Sequence, residues 1–329
     1  MKFKSVILFL VLGIVLIAFP VRGQITVSYP LAVDNTAGQA AAGYWEASEG
    51  GVVTVYMVKN IDDENEITVH AYVAGHTSKH AIDWEIDLTP GDSEGFLLSI
   101  SNGALVVTST ETGNIIGVTN TNIAPDAEGI YRGYTIFVVT SPITGPTDVP
   151  LVVSSALVTS TYHVGINCVS VRGADGPPYD GMITLGEALE ALNTALSLYS
   201  YFGRWYNDEN TYGQLIIVFP AASTLGYNPE TNPIEIRGRN WDEVENNVSF
   251  WMNVDEAQRI PITNNYPTSL PFIAGVGDAT SGWVEITDTV ITGTGITNPG
   301  MFGFTLMEEP VLGRADALPL FHAMVPGTQ

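Results

Sequence analysis

Thr77–Asp92 reads TSKHAIDWEIDLTPGD, and this stretch decides the fold class. Ile82, Trp84, Ile86 and Leu88 alternate with Asp83, Glu85 and Asp87. Period-two alternation puts the four apolar side chains on one sheet face and the three carboxylates on the other. Thr89-Pro90-Gly91-Asp92 follows. Proline presets φ at the second turn position and glycine permits positive φ at the third, the chemistry of a type II turn. A half-buried strand ending in a tight turn is the unit of an antiparallel β protein.

Upstream, Val52–Val58 and Ile67–Val73 are β-rich runs joined by KNIDDENE at 59–66. Downstream, Phe96–Ile100 and Leu105–Thr108 flank Asn102-Gly103, the strongest short hairpin signal and one that favours a type I′ turn. Tyr134–Thr140, Leu151–Val158, Tyr162–Val171, Gln214–Phe219, Asn247–Val254, Gly282–Val290 and Met301–Met307 continue as strands. Many short strands with turns between them predict an antiparallel β-sandwich, jelly-roll-like or built as two packed sandwiches. One segment breaks the pattern. Thr184-Leu185-Gly186-Glu187 is a capping box, and Leu185, Ala188, Leu189, Leu192, Ala195, Leu196 and Tyr199 follow helical spacing. One amphipathic helix is therefore expected over 185–202, closed by Gly203.

At the N-terminus, Lys2 and Lys4, the apolar run Ser5–Phe19, Pro20 and Val21-Arg22-Gly23 have the layout of a signal peptide. Cleavage is expected between Gly23 and Gln24, and the mature protein is expected outside the cell or on its surface. Gln24–Val33 then alternates Ile25, Val27, Tyr29, Leu31 and Val33. It is either the first strand of the chain's own sheet or a strand offered to a neighbouring subunit. Asp34–Gly43 reads as a flexible linker. The β-rich body, 44–329, runs through as one unit or divides near 173–183, around Asp175-Gly176-Pro177-Pro178. Loss of the signal leaves nine basic residues against 35 acidic ones, a net charge of −26. Such a field repels nucleic acid and anionic lipid, so neither is an expected partner. Cys168 is the single cysteine, so the exported chain has no internal disulfide. It reads as a buried, inert thiol.

Ser78, Asp83, Trp84, Leu88, Pro90 and Asp92 resemble the S…D-[FW]…L-[ST]-P-x-D signature of a family of uncharacterised bacterial secreted or cell-surface proteins. Val52–Asn60 resembles that family's strand ending in Asn. The Leu-rich helix at 185–202 precedes a strand ending in Phe219-Pro220, Trp241-Asp242-Glu243 resembles its W-D-x-E element, and Gly282-Trp283 opens a late strand. The chain departs from the pattern at Gly213-Gln214, where relatives carry Thr-Asp, and lacks the basic residue usual after Pro220. The resemblance implies export and a β-rich surface protein, and it implies no catalytic residues.

Asp62, Asp63 and Glu66 crowd one loop, and Asp208 and Asn210 another. Hard oxygen donors of this kind are calcium ligands, although neither loop has the spacing of a calcium-binding hand. His76 and His80, with His70 and Asp83 nearby, have the residue types for zinc, but a loop between strands fixes no geometry for them. There is no G-x-S-x-G elbow and no glycine-rich nucleotide loop. Asp83, Glu85 and Asp87 share a strand face at a separation that would suit a carboxylate pair, as any acidic strand face would. Trp205, Tyr206, Tyr212, Tyr227, Trp241, Trp251 and Tyr266 lie in or beside expected loops of the second half. Core and cross-strand packing is the favoured role for them, with sugar binding as the alternative.

These observations point first to a non-enzymatic exported surface protein that binds itself: a coat, matrix or filament subunit. A glycan-binding module or adhesin, with surface glycans as partner, is the alternative. A glycoside hydrolase using a carboxylate pair ranks third.

Overall fold

The computed structural model describes residues 31–34, 37–119, 123–126, 129–143, 148–166, 168–174, 181–197, 199–207, 211–263, 269–271, 281–309 and 313–324. In the first half these form β1 (Leu31–Asp34), β2 (Ala40–Ala47), β3 (Val53–Asn60), β4 (Ile67–Gly75), β5 (His80–Leu88), β6 (Ser93–Ser101), β7 (Ala104–Ser109), β8 (Ile115–Thr119), β9 (Tyr131–Val139), β10 (Leu151–Val158), β11 (His163–Ile166) and β12 (Cys168–Arg172). Helix α1 (Leu185–Leu196) leads to β13 (Tyr199–Tyr206), β14 (Tyr212–Val218), β15 (Ile234–Asp242), β16 (Asn247–Val254) and β17 (Ala257–Pro261). β18 (Ser281–Ile291), β19 (Ile296–Thr297), β20 (Phe302–Glu309), β21 (Arg314–Pro319) and β22 (Phe321–Met324) complete the chain.

Among the described residues the protein is mainly β with one α-helix, and its sheets are antiparallel. It builds four sheets rather than the two of a single sandwich. Sheet 1 runs β1-β12-β2-β9-β4-β5 and sheet 2 runs β11-β10-β3-β6-β7-β8. Sheet 3 runs β16-β15-β18-β13-β22, and sheet 4 runs β17-β14-β20-β21. No sheet mixes strands from before and after α1.

The centre of sheet 1, at β2 and β9, is covered on both faces. Tyr56 of sheet 2 meets Phe137 edge-on at 5.1 Å between ring centroids, and Phe96 meets Trp84 at 5.4 Å. From the other side Phe304 of sheet 4 meets Tyr44 at 5.8 Å. Sheet 4 is itself double-faced. Ile216, Val218, Phe302, Phe304 and Leu306 join the core of the first half, while Leu215 and Ile217 join a second core with sheet 3. Gln214–Phe219 is a continuous apolar run for this reason: successive side chains enter different cores.

The opening strand behaves as its alternation predicts. In β5 Trp84, Ile86 and Leu88 are buried while Asp83, Glu85 and Asp87 are exposed. Gly91 has φ of 75° and Asp92 N donates to Thr89 O at 3.0 Å, as the type II turn requires. Asn102 and Gly103 both have positive φ, 52° and 73°, in the β6–β7 hairpin.

Three expectations are corrected. Ala40–Gly43, read as linker, is the first half of β2, which is buried along its whole length. A strand covered on both faces needs small side chains where the layers close: a Cβ on Gly43 would lie 2.7 Å from the Tyr56 ring and 2.9 Å from Cys168 Sγ. The helix ends at Leu196, not at 202. Its capping box forms as read, with Glu187 N donating to Thr184 Oγ1 at 3.3 Å and Thr184 N donating to Glu187 Oε2 at 2.8 Å. The aromatic run after it belongs to β13, where Gly203 makes room for Leu320, for Thr305 of sheet 4 and for Val284 on the neighbouring β18. Finally, Tyr162–Val171 is two strands in different sheets, β11 in sheet 2 and β12 in sheet 1. Cys168 lies buried there, its Sγ 3.3 Å from Ser155 Oγ.

Leu31–Asp34 pairs with β12 of its own chain. The signal segment and residues 24–30 lie outside the described residues, as does most of the expected division near 173–183. Among the described residues no helix is long and apolar enough to cross a membrane.

Candidate functional site

Sheet 3 has one face in the second core and one in solvent. In β15, Ile234, Ile236, Gly238 and Asn240 point inward, and Arg237, Arg239 and Trp241 point out. In β16, Phe250, Met252 and Val254 are buried, and Asn247, Ser249, Trp251 and Asn253 are exposed. β18 adds Trp283, Glu285 and Thr287 to the outer face, and β13 adds Arg204 and Tyr206. Two glycines let the strands lie this close: a Cβ on Gly282 would sit 1.8 Å from Trp241 O, and one on Gly238 would sit 2.0 Å from Glu285 O.

The outward face is unusual for a chain of net charge −23. Trp251 is 60% exposed and Trp283 43% exposed, and three of the twelve basic residues of the sequence lie between and beside them. Arg204 stands over the Trp283 ring at 5.7 Å and Arg239 over the Trp241 ring at 6.0 Å. Arg237 is held by Glu235 at 2.5 Å and faces Asp288 at 3.7 Å. Arg237, Arg239, Ser249, Trp251 and Thr287 line an open recess of ≈ 480 Å³. Trp251 lies opposite Arg237, while Trp283 lies opposite Trp241 one strand further on. By strand spacing and rise the two indoles stand about 16 Å apart. The face therefore offers two flat aromatic surfaces with charged donors and acceptors between them.

The sequence held a signal for this face. Alternation in Asn247–Val254 sets Trp251 among the polar positions, and alternation in Ile234–Asp242 does the same for Arg237, Arg239 and Trp241. The aromatics expected near loops lie mostly on strands. Trp205 and Tyr227 are core residues, with Trp205 Nε1 donating to Asn240 Oδ1 at 2.6 Å. Tyr206 is exposed on β13. Tyr266 lies outside the described residues.

Of the calcium candidates, only those of the first loop fall among the described residues. Asp208 and Asn210 lie outside the described residues. Asp62, Asp63 and Glu66 occupy the loop between β3 and β4. Asp62 closes its own turn, accepting from Glu64 N at 2.8 Å, Asn65 N at 3.0 Å and Asn65 Nδ2 at 2.9 Å. These bonds, that from the Asn65 side chain first, hold its carboxyl below the usual carboxylate range. Among the described residues no group of three or more His, Cys, Asp or Glu side chains is placed to hold a metal ion. His70 and His80 each point Nε2 at Asp83, at 2.9 and 3.2 Å, while His76 turns instead toward Asp255 at 3.8 Å. Asp87 accepts from Thr68 Oγ1 at 2.8 Å.

Two polar clusters lie inside, where sheet 1 meets the second half. In the first, Arg259 of β17 donates to Glu46 at 2.7 Å, to Glu308 at 2.5 Å and to Gln214. Tyr44 donates to Glu46 at 2.8 Å, and Tyr162 donates to Glu308. Burial opposes the guanidinium charge, yet the two carboxylates hold its pKa above the ordinary value. In the second, Glu256 is fully buried and accepts from Tyr134 OH at 2.7 Å. Its Oε1 and the Ser78 hydroxyl are buried without a hydrogen bond of normal geometry. Burial pushes the Glu256 carboxyl up to about 7, against the pull of the Ser78, Tyr134 and Ser223 hydroxyls. The Arg259 cluster is partly buried and the Glu256 carboxyl fully buried, and each ties sheet 1 to the second half.

No family model matches the chain, and no curated protein is similar to it.

Proposed function

We propose that this chain is a non-catalytic exported binding protein whose sheet 3 face holds an oligosaccharide. The observation that carries the reading is the pair of exposed indoles, Trp251 and Trp283, on one sheet face, with Arg239 and Glu285 between them and the Arg237–Glu235 pair beside Trp251. A pyranose ring presents an apolar C–H face that stacks on an indole, and its hydroxyls accept from guanidinium groups and donate to carboxylates. A regular sheet holds these groups rigidly, so little ordering entropy is lost on binding. Architecturally, the body is four antiparallel sheets rather than a clear sandwich, with sheet 1 packed on both sheet 2 and sheet 4 and sheet 4 packed on sheet 3. Such a body leaves the outer face of sheet 3 open for a ligand.

A glycan array probed with the full chain tests the reading, followed by titration of the strongest hit. Trp251→Ala weakens that hit at least ~tenfold, as loss of a central aromatic anchor does. Because Trp251 is exposed, its unfolding free energy moves by no more than about 0.5 kcal/mol. An array without hits, or a Trp251→Ala chain that binds like wild type, sinks the reading.

A second reading, a self-associating coat, matrix or filament subunit, is favoured by a different observation. The edge strand β8 exposes Ile115 and Val118 and carries no charge.

A further inference from the structure

We propose that the oligosaccharide held on sheet 3 is an acidic one, and that Arg239 receives its isolated anionic group, a carboxylate or a sulfate ester. The proposal rests on the glycan reading and names the chemical class of the ligand.

Strand register fixes where Arg239 stands. Trp251 of β16 lies opposite Arg237 of β15, and Trp283 of β18 lies opposite Trp241 of β15. Arg239 is on β15, the strand between the two indoles, halfway from Arg237 to Trp241. It therefore occupies the midpoint of the line joining the indoles, about 8 Å from each by strand spacing and rise. Alternation turns its side chain to the same outer face. A sugar chain stacked on both rings has to pass over this guanidinium.

The charge there is uncompensated. Arg237 is already paired, with Glu235 at 2.5 Å and Asp288 at 3.7 Å. Arg239 lies over the Trp241 ring and, among the described residues, is in no ion pair. Glu285 is opposite it in the ladder, yet the two do not come within ion-pair distance. A neutral sugar over Arg239 would strip water from the guanidinium and return only hydroxyl acceptors. An anion there returns a charge-assisted hydrogen bond, and the planar guanidinium can hold a carboxylate or sulfate through two parallel bonds. The face is thus complete only with an anion at its centre.

That anion stands alone and not in a run. A chain of net charge −23 repels a polyanion, and Glu235, Glu285 and Asp288 lie on or beside the face itself. At physiological salt more distant charges are screened beyond about 8 Å, so a single anion touching Arg239 feels the guanidinium first. Neutral sugars suit the two ends, where stacking on an indole uses an apolar C–H face.

Titration of the full chain with paired oligosaccharides tests this. One pair is a gellan octasaccharide, whose glucuronates are spaced by neutral sugars, and its carboxyl-reduced form. The other is a κ-carrageenan octasaccharide and its desulfated form. Polygalacturonate supplies a continuous polyanion. In at least one pair the acidic member binds at least ~tenfold more tightly than its neutral counterpart, and more tightly than polygalacturonate. Which pair responds tells carboxylate from sulfate. Arg239→Gln, shown to be folded by a near-UV circular dichroism spectrum matching wild type, collapses that preference to within ~threefold. Arg239→Lys, which keeps the charge, keeps a preference. If Arg239 only packs on Trp241, Arg239→Gln weakens both members of a pair alike and leaves their ratio intact, which overturns the proposal. Neutral members that bind as tightly as acidic ones, with Trp251→Ala weakening both, overturn the acidic ligand while the glycan reading stands. Polygalacturonate binding most tightly overturns the isolated anion. Absence of binding to every probe overturns the proposal, and the glycan array then decides the glycan reading by itself.

Discussion

Replacing Arg259 with alanine destabilises the protein by about 3–5 kcal/mol, the loss expected when one partner of a buried ion pair is removed. The reason is local. Arg259 is the cation between Glu46 of β2 and Glu308 of β20, at 2.7 and 2.5 Å, and it ties sheet 1 to sheet 4. Without it two carboxylates stay buried in a chain already far on the negative side. Tyr44 and Tyr162 can still donate to them, but hydroxyl groups bring no countercharge. The contrasting variant removes the whole network: Arg259→Met with Glu46→Gln and Glu308→Gln leaves no unpaired charge and recovers most of the loss. Urea unfolding at neutral pH reads both. A single alanine variant within about 1 kcal/mol of wild type shows that the triad does not hold the layers.

Glu256 gives the second large effect, and its signature is pH. Its carboxyl is raised to about 7 in the fold, chiefly by burial, against an ordinary 4.5. A raised acid favours the fold in its protonated form. The stability it contributes is fully present below the unfolded pKa and is lost as pH rises through the folded one. Between pH 5 and 8 the loss is about 2–3 kcal/mol. Tyr134 from β9, Ser78 from the β4–β5 turn and Ser223 face the carboxyl, and Asp255 and Tyr227 lie beside it. His76, near Asp255, Arg132, Asp126 and Lys79, acts in the opposite sense. Burial depresses its pKa, so its contribution is present above the ordinary histidine value and lost as pH falls. Comparison with Glu256→Gln isolates the glutamate. The amide keeps the Tyr134 bond and adds a donor toward Ser78, so the variant lacks the decline toward pH 8. Parallel stability curves for wild type and Glu256→Gln would show that the carboxyl is ionised throughout.

Part of this architecture is legible in the sequence, for a definable reason. Alternation marks strands that are buried on one face, and β5 with its Pro-Gly turn is the clearest case. Asn102-Gly103 fixes a hairpin and Thr184-Glu187 fixes a helix start because each signal is complete within a few residues. β2 is not legible in this way. Ala40, Ala41, Ala42 and Gly43 are all buried, so burial leaves no periodicity, and small residues look like linker. The end of α1 is obscured for a related reason, since Tyr199 and Phe202 fit a helical stripe as well as a strand. The charged interior is illegible in principle: the partner that makes Glu46 tolerable, Arg259, stands 213 positions away. The sheet 3 face is the intermediate case. Alternation shows which side chains point out, but only the pairing of β15, β16 and β18 brings Trp251, Arg237 and Trp283 onto one surface.

Sheet 4, with one face in each core, bears on how this protein can be inherited. A domain that travels between genes carries its whole core with it. Here Phe304 and Ile216 complete a core begun more than a hundred residues earlier, while Leu215, next to Ile216, completes another. A cut anywhere near α1 would leave Tyr44 without the ring that covers it and Phe304 without its floor. Neither half is a portable module. Shuffling would separate strands that share a wall, so the two halves must change in step.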